Sequence, residues 1–433
     1  MTRGDDFRRI GCAAPRPAAS VVVMDLADRA AALTWAAVAA AAWTHLGYPL
    51  LMRRAAAGAT GPAVAGGQPD DTLPAVTVLV AALDEEQVIG EKVRDSLAQD
   101  YPPALLEVLV VADGSTDRTA ELARAAGARV LTAPVPAGKS AAVNRGVLAA
   151  TGELVCLTDA NCSLAPGALR ALAAAAADPR VAVVSGAKVV VGAGSHGSGE
   201  GLYWRLESVV KAGESRFGCV MGAPGEVCAV RRSTFRPIPP GVLNDDYHLV
   251  CDALLHGHRV AYAPAARAVE TVSARAADEM ERRTRIAAGT WQTSLRHLRL
   301  ADPRRGMTAL AFGSHRLLRN HVVPLLLPGL LATSAAAASR HRSARWLLAA
   351  QVLGYGAGAA GWVTGRPALG APTQFLLTNA AAVRGAVRLA ARRQPTVWRR
   401  AARGPWVPAA PTPATSGKPL QEPPEERTRE LVA

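Results

Sequence analysis

From Pro74 onward, short β-branched runs alternate with helix-length stretches, and this alternation restricts the fold more than any other feature of the chain. Val76–Val80, Val108–Val111, Arg129–Leu131 and Leu154–Leu157 read as strands, and Glu85–Gln99, Asp117–Ala126 and Ser140–Ala150 as the helices between them. Parallel neighbours need a crossover, and a helix of this length supplies one. The pattern therefore predicts βαβ units on a mainly parallel α/β sheet. The sheet is expected to continue through Val181–Val191 and Glu226–Val230, with a late strand at Arg259–Ala263.

The flanks are different. Ala30 to Met52 is uncharged, lies between Arg29 and Arg53-Arg54, and is long enough to cross a bilayer. Trp35, Trp43 and Tyr48 suit its interfaces. A signal peptide is the alternative, but the run is long and does not end in an obvious A-x-A cleavage site with a secreted domain behind it. Residues 1–29 read as a flexible segment in which Met24 is a candidate start, and 53–75 as a linker. An amphipathic, basic interface segment is expected over 273–316, then two or three membrane helices over 317–391. Their apolar runs are Leu317–Ala338, Trp346–Thr364 and Pro372–Leu389; Arg384 and Arg388 in the last suit an interfacial helix. Residues 392–433 are basic, then rich in Pro and charge, and read as a disordered tail.

Lys and Arg number 49 against 35 Asp and Glu, a net charge of +14. Nucleic-acid binding is not the best account of this excess, because aromatics are 4% of the chain and the basic residues sit beside apolar runs. Arginines so placed mark the cytoplasmic face of a membrane. The 6 cysteines are scattered without CxxC spacing, which argues against a structural zinc site or a disulfide scaffold.

Four polar clusters fall at expected strand ends, where ligands bind in such sheets. They are Asp84-Glu85-Glu86, Asp113-Gly114-Ser115-Thr116-Asp117, Asp159-Ala160-Asn161 and Asn244-Asp245-Asp246. Singly, each could be a helix cap or a turn. No GxxxxGK[ST] and no GxGxxG follows the first strand, so neither a P-loop nor a dinucleotide fold has its fingerprint.

Together the clusters resemble a membrane-bound family 2 glycosyltransferase with a GT-A fold, related to bacterial polysaccharide synthases and N-acetylglucosaminyltransferase-like enzymes, over about Pro74–Gly289. Asp84-Glu85-Glu86 is similar to the family's first N/D-E-E segment, Asp113-Gly114-Ser115-x-Asp117 to its nucleoside loop, and Gly138–Gly146 to its G-K-x-x-A-x-N-x-G stretch. The resemblance implies donor binding by Asp84, Glu86, Asp113, Lys139, Asp159 and Arg285. It implies a Mg²⁺ or Mn²⁺ ion on Asp159 and Asn161, where Asn161 replaces the second Asp of D-x-D. It implies Asp246 as catalytic base, with Asp245 where Glu is common; His248 is a rival base. Gly222-Ala-Pro-Gly225 is similar to the acceptor-side segment. Arg282-Arg283-Thr284-Arg285-Ile286 resembles Q-x-x-R-W of processive synthases, with Arg282 for Gln and Ile286 for Trp.

The chemistry asks for such residues. A departing diphosphate calls for a hard cation on oxygen ligands, and an attacking hydroxyl for a carboxylate base. The expected protein is a multi-pass membrane enzyme whose catalytic domain faces the cytoplasm. It would move a sugar, from a UDP-linked donor, to a lipid-linked or polymeric carbohydrate in cell-envelope or exopolysaccharide synthesis. A catalytically weak or inactive membrane scaffold of the same fold is the other reading. UDP release separates the two.

Overall fold

The computed structural model describes residues 26–57, 69–191, 194–271, 276–394 and 406–409. Residues 1–25 of the expected flexible segment, with the possible start at Met24, residues 58–68 of the linker and nearly all of the tail lie outside the described residues. Helix α1 (Leu26–Ala42) runs through a π-helical turn, Trp43–Gly47, into α2 (Tyr48–Ala57). The helix thus begins before Ala30 and carries Arg53 and Arg54, which were expected in the linker.

The sheet follows. β1 (Val76–Ala82), α3 (Ile89–Leu97), β2 (Leu106–Asp113), α4 (Thr119–Ala125), β3 (Arg129–Ala133), α5 (Lys139–Ala149) and β4 (Leu154–Thr158) form the alternating half. Then come β5 (Ser163–Leu164), α6 (Ala168–Ala175), β6 (Val181–Val191), α7 (Gly194–Phe217), β7 (Cys228–Arg231), α8 (Asp245–Leu255) and β8 (Arg259–Thr271). The eight strands lie in the order β3-β2-β1-β4-β7-β6-β8-β5. β1 to β4 are mutually parallel, β7 runs antiparallel between β4 and β6, and β6 is parallel to β8. The strand order reverses at β1, whose neighbours are β2 and β4, so the crevice opens beyond Ala82, Asp113 and Thr158.

β1 is buried along its whole length, which is why it reads as an unbroken apolar run. Val76, Val78 and Val80 pack with Ile89, Val93, Leu169 and Leu172 on one face of the sheet. Leu79 and Ala81 pack on the other face with Val143, Val147 and Val250. The second core also takes in Tyr48 and Met52 from α2, so the amino-terminal helix is fixed to the catalytic body at that end. Tyr48 donates its hydroxyl to Glu214 at 2.8 Å. A Cβ on Gly213 would come within 2.3 Å of the Met52 carbonyl oxygen, so only glycine lets α7 approach α2 this closely.

Beyond the sheet, α9 (Ala276–Arg296) leads through short turns to α10 (Met307–Ala311), a long π-helical stretch Phe312–Val322, and α11 (Val323–Ala337). Helices α12 (Arg342–Thr364) and α13 (Gly370–Ala390) follow. Met307–Ala337 is long and apolar enough to cross a membrane; among the described residues it is the one helix that is. Its first third does not behave as a lipid-facing segment. His315 lies buried between Glu207 and Glu214, and Arg319 donates to Glu207 at 3.2 Å. α13 docks along α9, with Arg388 bonded to both carboxylate oxygens of Glu281.

Candidate active site

Loops at the carboxyl ends of β1 and β2 are stitched together by their own acids. Asp84 holds φ +54°, an uncommon conformation outside glycine, and its Oδ1 accepts from the Thr116 amide at 2.8 Å. The Glu86 amide donates to Asp117 at 3.0 Å, and the Arg118 amide to Glu86 at 3.3 Å. Asp113 accepts from the amides of Ala137 and Gly138 at 3.0 and 2.7 Å, and is also paired with Arg145. Gly114, at φ +74°, passes so close to Pro136 that a Cβ would meet its nitrogen at 2.3 Å. The outcome is a rigid platform that aims Gly138 and the start of α5. Asp84, Glu86 and Asp113 therefore shape the crevice through the backbone they hold. None of the three lines the main cavity, although donor contact was expected of them.

That cavity holds about 600 Å³. At one end stand Lys139, Asp159, Asp245 and Asp246. The Lys139 ammonium lies 2.8 Å from Asp159 and 3.9 Å from Asp245. Although burial opposes its charge, these carboxylates, with Asp246, hold the Lys139 pKa well above the ordinary lysine value. A cation is thus already seated among the acids. The carboxylates of Asp159, just past β4, and Asp245, opening α8, face the same ammonium, and such hard oxygen donors around a positive charge fit a Mg²⁺ or Mn²⁺ ion. Asn161 lies elsewhere. Its amide donates to Glu270 at 3.1 Å, and it does not line the cavity.

Asp245 and Asp246 open α8, where negative charge meets the positive end of the helix dipole. Burial foremost, and then the neighbouring charge of Asp245, push the Asp246 carboxyl up to about 7, with Lys139 pulling the other way. The N-cap before them is tied to α9: Asn244 donates to the Ile286 carbonyl at 2.9 Å and to Thr290 at 3.3 Å. A Cβ on Gly289 would come within 2.2 Å of the Asn244 side chain. Gly289→Ala should accordingly displace Asn244 and the start of α8. A displacement near 1 Å costs about 10²-fold in rate, so kcat should fall by roughly that factor. Donor affinity should change much less; steady-state kinetics with donor titration checks both.

The cavity's other walls were foreseen only in part: Gly222–Gly225, Arg282 and Arg283, singled out in the sequence, line it, and other lining residues were not read. Lys188, Glu226 and Glu270 form a buried cluster beside Asn161, with Lys188 2.5 Å from Glu226 and in contact with Glu270. Lys188 could have been noticed as a lone charge within the run Val181–Val191. Trp204 and Lys211 come from α7, and Arg316 and Arg319 from the π-helical stretch. The Lys211 ammonium lies 5.7 Å above the Trp204 ring, and burial lowers its pKa. Arg285 and Ile286 line the cavity, which reaches His45, Pro324 and Phe375 on the apolar helices. Trp291 does not reach it, being stacked on His321 and bonded to the Ala382 carbonyl. His248 does not line the cavity either.

Residues 74–289 match the family model described as "Glycosyltransferase like family 2". An N-acetylglucosaminyltransferase of Rhizobium meliloti is 32% identical over 47% of this chain and 53% of its own. One of Rhizobium sp. (strain N33) is 28% identical over 53% of this chain and 56% of its own. The chain thus spans about half the length of these curated relatives. The structure also resembles a mannosyltransferase of Pyrobaculum calidifontis solved with GDP-Man and Mn²⁺, at 27% identity and a TM-score of 0.62, over 83% of this chain and 99% of that one. With its sheet, its cavity of converging carboxylates and these matches, the chain belongs to the family 2 glycosyltransferases and carries their GT-A nucleotide-sugar-binding fold.

Proposed function

We propose that the chain is a membrane-anchored, metal-dependent, inverting glycosyltransferase that moves a hexosyl or N-acetylhexosaminyl unit to a lipid-linked or polymeric carbohydrate of the cell envelope. The reading is carried by one observation: a single cavity runs from Lys139, Asp159 and Asp246 to the apolar helices at Pro324 and Phe375. A donor diphosphate suits the charged end, and an acceptor arriving from the membrane suits the other.

Asp246 takes the proton from the acceptor hydroxyl. The acceptor oxygen forms the new bond to the anomeric carbon from one face, and the bond to the diphosphate breaks on the other, its electron pair leaving with phosphate. The configuration inverts. Lys139 and Arg285 bind the diphosphate. The chemistry a divalent cation supplies when bound is neutralisation of that leaving group. Asp159 would hold it, and Asp245 is the second carboxylate within reach. Asn161 would join only by giving up Glu270.

The names of the relatives favour an N-acetylglucosaminyl donor, in line with the UDP-linked sugar expected from the sequence, and the mannosyltransferase's complex makes GDP-mannose the second candidate. Membrane anchorage is supported by large apolar side chains turned outward, among them Trp346, Leu353 and Val363 at 68%, 73% and 82% exposed. Arg53 and Arg54 in the last turns of α2 favour a cytoplasmic catalytic domain. Release of nucleoside diphosphate from purified protein, screened over nucleotide sugars with a lipid-linked acceptor, tests the proposal. No release from any donor would favour the scaffold reading.

Product length should be short. Ile286 occupies the cavity wall where processive synthases place Trp, and it offers no flat π surface for a terminal sugar. With donor in excess and acceptor limiting, one-step products should predominate; long chains beside unreacted acceptor would refute this.

A further inference from the structure

One cluster of donor atoms plays no part in the catalytic cavity. His248 and Asp252 stand one turn apart on α8, and His297 follows the end of α9. One donor atom from each lies within 4.8 Å of the others, and none of the three residues lines the cavity. Both histidines are buried, at 5% and 3% exposure, and their rings are 5.0 Å apart.

Two observations make this more than a chance meeting of polar groups. His248 Nδ1 is buried with no hydrogen-bond partner, a costly arrangement for a polar atom in a protein interior. His297 Nδ1 lies 2.9 Å from the Thr293 carbonyl oxygen, so it must donate, and Nε2 keeps its lone pair. A ring oriented through one nitrogen by a backbone carbonyl, with the other nitrogen turned to a shared point, is how metal-binding imidazoles are held. Burial also lowers the pKa of both rings, which keeps them neutral and able to ligate.

We propose that His248, Asp252 and His297 form a second metal site, distinct from the donor's cation, which takes a borderline first-row ion such as Zn²⁺ and fastens α8 to the end of α9. Two imidazoles and one carboxylate leave a fourth position for water and suit Zn²⁺ or Co²⁺; Mg²⁺ prefers oxygen ligands throughout. The clamp lies on the two helices that carry Asp246 and Arg285, so the ion would secure their spacing without touching substrate. The competitors for Asp252 are Arg236, with Nε at 3.6 Å, and His256, with Nδ1 at 3.4 Å.

The test uses the full chain in detergent, stripped by chelator, in an Asp159→Ala background so that the donor site does not contribute. Zn²⁺ is titrated by calorimetry and Co²⁺ by its visible ligand-field absorption. About one equivalent of each should bind, and Zn²⁺ should raise the thermal midpoint. His297→Gln should weaken Zn²⁺ by tenfold or more, on the scale of metal-site perturbations. Asp252→Asn, at a half-buried position that folding tolerates more easily, should do the same. Arg236→Ala should tighten binding several-fold by removing the rival cation. Zn²⁺ affinity unchanged by Asp252→Asn, or no Zn²⁺-dependent rise in the midpoint, would overturn the site. So would stabilisation by Mg²⁺ equal to that by Zn²⁺.

Discussion

Asp246→Asn is expected to lower kcat by about 10²–10⁴-fold, the usual worth of a positioned base, while donor affinity stays within a few-fold of the parent. The substitution keeps the shape of the side chain and its place at the head of α8, and removes only the capacity to take a proton. The environment explains why this carboxylate can serve at all. An exposed aspartate is too weak a base to deprotonate a hydroxyl usefully near neutral pH. Burial, reinforced by Asp245, brings Asp246 to about 7. The base works in its ionised form, so kcat/KM should rise with pH through that region and level off above it. Asp245→Asn removes the like charge and should move the acid limb to lower pH. His248 has the opposite bias, since burial lowers it to about 4, and a limb that low would point to it. Stopped assays from pH 3 to 9 on parent, Asp246→Asn and Asp245→Asn distinguish these cases. Near-normal turnover by Asp246→Asn would remove it from the role.

How far the sequence foretold this site depends on which residues carry it. β1, β2 and β4 were legible because strands buried on both faces are continuous apolar runs. The clusters at their ends were legible because a parallel sheet puts loops at one edge. The expected helix Glu85–Gln99 is shorter, Ile89–Leu97, since Glu85 and Glu86 belong to the turn that grips the next loop. α6 went unread because it is only 8 residues long and mostly alanine, and α7 because it opens on glycines and serine and carries its charges inward. The late strand runs on to Thr271, beyond Ala263, because it follows β6 through two irregularities of register. Lys211, Arg316 and Trp204 reach the cavity only through packing among α7, the π-helical stretch and α13, contacts between distant parts of the chain that local pattern does not record. Asn161 illustrates the converse. Spacing placed it beside Asp159, whereas its amide is engaged by Glu270, a residue more than a hundred positions away.

Asp159→Ala is expected to abolish metal-dependent donor binding. Asp159 follows β4 at the strand-order reversal and accepts from Lys139 at 2.8 Å. The alanine removes the carboxylate that would share the diphosphate's counter-charge, and it also frees Lys139 to swing toward Asp245 and Asp246. Two losses therefore combine. In calorimetry with nucleoside diphosphate and Mn²⁺, the parent should bind far more tightly with the ion than without it. In the variant that difference should vanish, with residual affinity carried by Lys139 and Arg285. Asn161→Asp supplies the contrast. If spacing alone ruled, the added charge would lower the Mn²⁺ requirement. In this structure it would instead set a second carboxylate against Glu270 and lose the amide donation, so no gain in Mn²⁺ affinity is expected. A clear gain would mean that residue 161 turns to the ion when donor binds. Metal-dependent binding that survives Asp159→Ala would move the cation off β4 altogether and leave Asp245 as its anchor.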